Sequence, residues 1–301
     1  MVDKHLVAAI VVLYNPDYKT LVNLVNTACH CNRLIAVLNS SCSEAALHGL
    51  SDKNIIILDY KQNDGTAGGF NRGIKYALET GSESFVLLLD QDSTPTDGMI
   101  EKLISAYNAH VNLGLKVGAV GPTLQDIKDS ISEKYKFEHH QNIASYIFLR
   151  KISNNAILVD SVASSGTLLN RDVFDQVGLM DETLFLDAVD HEWCLRAKAL
   201  SYITLKVPSA VLLHNMGDVS IVWFRKKHPL HKSSVRHYYI IRNSILLLNR
   251  TYILPIWRLK ELLLTIRRFF GYIYFSENKK ETIYFMCKGL WHGINSRGGP
   301  Y

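Results

Sequence analysis

The chain lacks the marks of a secreted or membrane-spanning protein. Its 301 residues include five cysteines, Cys29, Cys31, Cys42, Cys194 and Cys287. That number is odd, and the spacing suits neither a disulfide framework nor a paired CxxC zinc site. Reduced thiols in a cytoplasmic protein are the simplest reading. Cys29 and Cys31 are near neighbours without a second pair, a weak metal signal. The N-terminal stretch MVDKHLVAAIVVLYNP is no secretory signal, because it is short, lacks a small-residue cleavage site and ends in Asn-Pro. No segment reaches the roughly 18 uncharged apolar residues of a spanning helix. A Walker lysine, a GxGxxG after the first strand and a nucleic-acid recognition motif are also missing.

What is present is a globular composition, 48% hydrophobic and 20% charged. The length suits one large α/β domain or a domain with an appendage. Net charge is +5 but unevenly spread. Residues 223–301 hold 15 Lys+Arg against 3 Asp+Glu, and the rest holds 18 against 25. An acidic body with a basic tail suggests two tasks, the tail suiting an anionic surface or phosphate groups.

Strand and helix signals alternate through the first half. LVAAIVVLY (6–14) is an unbroken apolar run, as in a strand covered on both faces. LIAVLNSS (34–41), NIIILDY (54–60) and SFVLLLD (84–90) read as further strands. Helical spacing marks 15–30, 68–81 and 97–110. The alternation predicts a parallel, doubly wound α/β sheet whose ligands sit beyond the carboxyl ends of the strands. Polar residues gather at those ends: Tyr14-Asn15, Asn39-Ser40-Ser41, Asn63-Asp64 and Asp90-Gln91-Asp92.

NDGTAGGFNRG, with Gly65, Gly68, Gly69 and Gly73, is either plain turn punctuation or a loop whose backbone approaches a ligand and opens an anion-friendly helix N-terminus. Asp90 and Asp92 are either turn and capping residues or ligands of a divalent cation. Two carboxylates beside an anion site repel each other. Mg²⁺ or Mn²⁺ bridging them to a pyrophosphate removes that conflict.

With these motifs in order, residues 6–215 resemble the family 2 glycosyltransferases, which have the GT-A fold: a mixed, mainly parallel sheet flanked by helices. The resemblance is carried by VVLYNP, NDGTAGGFNRG, LLLDQDS, SSGTLLNRDVFDQVGLMDETLFLDAVDHEWCLRAKALSY and HNMGD, and RHYYIIRN extends it into the tail. It is nearest to bacterial rhamnosyltransferases that use dTDP-L-rhamnose for O-antigen and related polysaccharides. The resemblance implies a catalytic domain over 1–222, with a nucleotide-sugar half of about 1–122 and an acceptor half of about 123–222. A basic helical region of 223–301 follows.

The resemblance also assigns roles. Tyr14, Asn15, Asn39, Asn63 and Gly65 would line the nucleotide pocket, with Gly68, Gly69 and Asn71 shaping the loop beside it. Asp90 and Asp92 would hold the metal on the donor pyrophosphate, and His214 would join them. Many relatives have Asp-Asn where this chain has Leu38-Asn39, which puts the manner of base reading in doubt. Asp190 would be the base that deprotonates the acceptor hydroxyl in an inverting displacement. Its other reading is a helix cap, and Asp187 and Glu192 are alternatives. Gly166, Glu192 and Trp193 would lie on the acceptor side.

The tail segment LKELLLTIRRFFGYIYF (259–275) sets Leu259, Leu262, Leu263, Ile266, Phe269, Phe270 and Ile273 on one helical face, with Lys260, Glu261, Arg267 and Arg268 on the other. Packing on the catalytic domain, packing on a second subunit in a homo-oligomer, and peripheral contact with an anionic membrane all fit this pattern. The last would suit a lipid-linked oligosaccharide acceptor and a cytoplasmic enzyme at the inner face of the membrane. A sugar nucleotidyltransferase is disfavoured, because YNPDYKT stands where it should carry a Gly-rich basic loop. A noncatalytic glycan-binding module would need only part of the constellation Asp90, Asp92, Asp190 and His214. Nucleic acid is not an expected partner.

Overall fold

Each apolar run of the first half becomes a strand because it can be covered on both sides. The computed structural model describes residues 6–41, 54–126, 156–214, 219–223, 226–230 and 233–301. Cys42 and the residues of HNMGD after His214 lie outside them. The strands β1 (Val7–Leu13), β2 (Arg33–Leu38), β3 (Ile55–Asp59) and β4 (Phe85–Asp90) pair in parallel in the order β3-β2-β1-β4. Between them run α1 (Tyr18–Ala28) and α2 (Gly65–Thr80). Asp17 caps α1 by accepting from the Thr20 N–H at 2.8 Å.

Along β1 the side chains alternate between two cores. Val7, Ala9 and Val11 meet Leu21 and Leu24 of α1 together with Leu103 of α3 (Met99–Val111). Ala8 and Ile10 meet Phe70 and Ile74 of α2. The period of two in a strand, with helices on both faces, accounts for the unbroken apolar sequence.

The second half turns the sheet mixed. It adds β5 (Ser93–Pro95), β6 (Val117–Asp126), β7 (Ile157–Val159), β8 (Thr167–Asn170) and β9 (Ile203–His214). The nine-stranded sheet runs β3-β2-β1-β4-β8-β6-β9-β5, and β7 also pairs with β9. The strand β8 is antiparallel to both β4 and β6. Two helices, α4 (Val173–Val177) and α5 (Val189–Ala199), complete this half. A hairpin of β10 (Val219–Trp223) and β11 (Lys226–Leu230) leads to the C-terminal helices α6 (Ser234–Leu248), α7 (Pro255–Phe275) and α8 (Lys279–Ile294).

Two helices differ in how their faces are covered. In α5, Val189, Glu192, Trp193, Cys194, Leu195 and Ala197 are all buried, and Leu200 just beyond it is exposed. One side of α5 meets the central core, and Leu195 on the other side packs with Leu247 and Ile253 from the C-terminal region. In α7 part of the polar face, Glu261 and Arg268, turns inward. Glu261 accepts from Ser244 Oγ and from Arg268, both at 2.8 Å, and Thr265 is buried. Ile256, Leu259, Leu262, Leu263, Ile266 and Phe270 are exposed, with Arg267 and Lys260 exposed beside them. The half-buried charges are tolerable because they are paired.

The inverted packing has a direct test. Replacing Leu263 and Ile266 together by Gln should change the unfolding free energy by less than about 1 kcal/mol, as for exposed positions. Glu261→Ala, which strands Arg268, should destabilise clearly more. Urea unfolding of the three proteins decides it, and a large loss from the Leu263/Ile266 pair would show that this face is packed.

Candidate active site

Strand pairing assembles the polar cluster. Asp90 closes β4, and the chain turns through Gln91 and Asp92 into β5. Because β5 pairs antiparallel with the end of β9, Ser93 lies opposite His214. His214 Nδ1 therefore comes within 3.3 Å of Asp92 Oδ1 and 2.9 Å of Ser93 Oγ. Ser93 Oγ in turn meets Ser165 Oγ at 2.5 Å. One ligand atom from each of Asp90, Asp92 and His214 lies within 4.8 Å of the others. Two carboxylate oxygens and an imidazole nitrogen that close form a donor set that could hold Mn²⁺ or Mg²⁺.

The charges of this cluster oppose one another. Burial pushes the Asp90 carboxyl up to about 6, the neighbouring carboxylates Asp92 and Asp190 act the same way, and His214 and Arg236 act against it. Asp190 sits in the first turn of α5, after a backbone with Asp187 at φ 63° and Ala188 at φ 62°. Its Oδ2 accepts from the Ser164 N–H at 3.0 Å and its Oδ1 from the His191 N–H at 2.8 Å. These bonds aim the carboxylate at the loop 164–166. Asp187, the alternative base, is instead engaged by Arg236 at 2.9 Å.

The residues expected to border a nucleotide gather at the ends of β1, β2 and β3. Gln91 clasps the backbone of Tyr14, accepting from its N–H at 2.8 Å and donating to its carbonyl at 3.2 Å. The Tyr14 side chain is exposed. Asn15, at φ 46°, donates its N–H to Ser40 Oγ at 2.7 Å. Asn39 is buried and donates to the Gly65 carbonyl at 2.6 Å, while its Oδ1 has no hydrogen-bond partner among the described residues. Asn63 Oδ1 accepts from the Gly65 N–H at 3.0 Å. Gly65 needs to be glycine, because its φ is +69° and a Cβ would lie 2.2 Å from the Phe185 carbonyl oxygen.

Other expected site residues make contacts within the protein. The Asn71 side chain bridges to the Met180 backbone and to Glu182, tying two segments of the protein together. Gly68 and Gly69 make close approaches within the protein, to the Asp64 side chain and to Val12 of β1. The Ala67 N–H at the start of α2 is taken by the Phe185 carbonyl at 3.2 Å, so this donor is not free for an anion. Glu192 and Trp193 are each 1% exposed. Glu192 is held by Arg196 and Tyr252, and Trp193 donates to the Gly178 carbonyl at 2.9 Å. Gly166 is buried at φ +82°, with Pro122 2.5 Å from where a Cβ would stand. Sequence reasoning missed Gln91, Ser93 and Arg236. For the first two the signal is adjacency to the Asp pair; for Arg236 it is the first position of RHYYIIRN, to which no role was attached.

The GT-A sheet, with an Asp-x-Asp at the end of β4, is a frame shared by glycosyltransferases. The chain belongs to glycosyl transferase family 2, whose family description matches residues 8–178. It is 31% identical over 263 residues to the dTDP-rhamnosyl transferase RfbF of Shigella flexneri, covering 86% of this chain and 85% of that one. It is 25% identical over 301 residues to the low-salt glycan biosynthesis hexosyltransferase Agl10 of Haloferax volcanii, covering 97% and 92%. Among solved structures, GalNAc-T7 with UDP, GalNAc and Mn²⁺ superposes with TM-score 0.61 at 14% identity, covering 96% of this chain and 56% of that one. The S. aureus TarS 1-349 complex with UDP-GlcNAc superposes with TM-score 0.57 at 13% identity, covering 97% and 81%. These structural likenesses support the fold.

The raised Asp90 carboxyl makes a stability prediction. Its folded value of about 6 lies above the ordinary 3.8, so its contribution to folding is present below about pH 4 and lost as pH rises through 6. Without metal, Asp90→Asn should therefore melt higher than wild type at pH 8, with the gain vanishing toward pH 4. Melting curves across pH test this, and a lower melting temperature for the variant at pH 8 would refute it.

Proposed function

We propose that this glycosyltransferase moves L-rhamnose from dTDP-L-rhamnose to a hydroxyl of a lipid-linked glycan during O-antigen or related cell-surface polysaccharide synthesis, with inversion at the anomeric carbon. The observation that carries the reading is the meeting of Asp90, Asp92 and His214 at one rim, with Asp190 electrostatically coupled to Asp90. The donor is supported by the relative named as a dTDP-rhamnosyl transferase, similar along most of the chain. Tyr14, Asn15, Asn39, Asn63 and Gly65 would border the nucleotide, and the unpartnered Asn39 Oδ1 offers an acceptor for a base N–H.

Asp90, Asp92 and His214 would hold Mg²⁺ or Mn²⁺, which supplies positive charge for the donor diphosphate when bound. Asp190 takes the proton of the acceptor hydroxyl. The freed oxygen forms a bond to the anomeric carbon as the bond to the diphosphate oxygen breaks, and dTDP leaves with that electron pair. A single displacement inverts the configuration. The two backbone N–H donors keep Asp190 oriented for this role.

Asp190→Asn should fold and bind donor, yet transfer roughly 10²–10⁴-fold more slowly. A nucleotide-sugar turnover assay with product stereochemistry tests both points. Near-normal transfer by the variant, or a retained anomer, would overturn the mechanism. Turnover of another nucleotide sugar with dTDP-L-rhamnose inert would overturn the donor.

The exposed apolar stripe of α7, with Arg267 and Lys260 beside it, supports peripheral contact with an anionic membrane at the cytoplasmic face, where a lipid-linked acceptor would be met. Among the described residues no helix is long and apolar enough to cross a membrane. Liposomes rich in anionic lipid should recruit the protein at low salt, and Arg267→Glu should weaken recruitment. Indifference to salt and to charge reversal, with a concentration-dependent dimer in solution, would assign the stripe to a homo-oligomer.

A further inference from the structure

The C-terminal helices reach the reaction centre through α6. Asn243 donates one amide group to three carbonyls of the loop before α5: Leu184 at 2.9 Å, Leu186 at 2.6 Å and Asp187 at 2.8 Å. Arg242, fully buried, donates to the Leu184 carbonyl at 2.8 Å. Phe185, Asp187 and Ala188 in this loop all have left-handed φ, between 61° and 63°. Such non-glycine backbone persists where its surroundings over-determine it. The bonds from α6 supply that restraint.

In the first turn of the same helix, Arg236 closes on the Asp187 side chain. Its Nε lies 3.1 Å from both carboxylate oxygens and its Nη2 lies 2.9 Å from Oδ1. Nη1 has no hydrogen-bond partner among the described residues, and the side chain is 39% exposed. Arg236 also lies close enough to Asp90 for their opposite charges to attract. Three carboxylates converge here, and a diphosphate would bring more negative charge than a divalent ion carries. A guanidinium stays charged at every relevant pH and presents paired donors that match phosphate oxygens.

We infer that Arg236 is a catalytic residue for the leaving group: the Nη1 edge binds the terminal phosphate of the departing nucleoside diphosphate. Asp187 is the positioning residue that fixes the guanidinium by its other edge. As the bond between the anomeric carbon and the phosphate oxygen breaks, negative charge grows on that phosphate and the contact strengthens. The inference rests on the nucleotide-sugar reading of the site.

Calorimetric titration of the full chain in Mn²⁺ separates the two. The probes are dTDP, UDP and GDP, each with its nucleoside. For the diphosphate that wild type binds best, Arg236→Met should lose roughly 10–100-fold in affinity, the scale of a charge-assisted hydrogen bond. Binding of the matching nucleoside should not change. Arg236→Lys should recover part of the loss, and Asp187→Asn should weaken diphosphate binding less than Arg236→Met. If Arg236→Met fails to fold, Arg236→Gln is read in its place. Equal diphosphate affinity in variant and wild type, or equal losses for diphosphate and nucleoside, would overturn the inference. Failure of wild type to bind any of the three diphosphates would instead overturn the nucleotide-sugar reading.

Discussion

Like charge held in one place is the constraint to which the rest of this structure answers. Asp90, Asp92 and Asp190 share a rim, and Asp90 feels both neighbours while partly withdrawn from water. Groups that repel one another do not stay together unless the backbone is fixed independently of them. Here the fixing comes from below. The residues leading to Asp90 are buried in β4 between β1 and β8, and Ser93 is tied to His214 by strand register. Asp190 is held by backbone N–H groups and by α5, whose faces are packed almost all round. A cation held by Asp90, Asp92 and His214 would neutralise this charge.

The C-terminal region belongs to the same account. Its basic composition suggests an appendage directed outward, and the stripe on α7 does face outward. Yet α6 faces inward, where Asn243 and Arg242 hold the loop before α5 through its carbonyl groups. A loop with left-handed residues at Phe185, Asp187 and Ala188 gains its shape from these bonds, because its own sequence offers no glycine there. The site therefore draws on residues from β4 in the first half to α6 in the last third of the chain.

Glycines tell a related story. Gly68, Gly69 and Gly73 invite a reading as a ligand-cradling loop, but they lie inside α2. Gly69 and Gly73 bring that helix close to Val12 and Ile10 of β1. Gly65 alone in this stretch combines a left-handed backbone with a contact to the loop before α5. The stretch thus couples the first strands to the loop before α5 by packing, and the Asn71 bridge to Met180 joins the same two parts of the chain by hydrogen bonds.

The sequence alone determined β1 to β4, the helices between them and the polar strand ends. These are local patterns: a period of two, a period near 3.6 and the residues that end them. It also marked Asp90, Asp92, His214 and Asp190 through the order of their motifs. Only the tertiary structure decided which way the helices face. An amphipathic pattern such as that of α7 states that two faces differ and not which is covered, and α7 turns Glu261 and Arg268 inward, where Ser244 and Arg268 pair Glu261, while its apolar stripe stays exposed. Glu192 lies about 200° round the helix from Asp190 and is held by Arg196 and Tyr252, while Trp193 shares the side of Asp190 but donates to the Gly178 carbonyl. Arg236 joins Asp187 through a contact between distant segments, and no local pattern encodes that meeting.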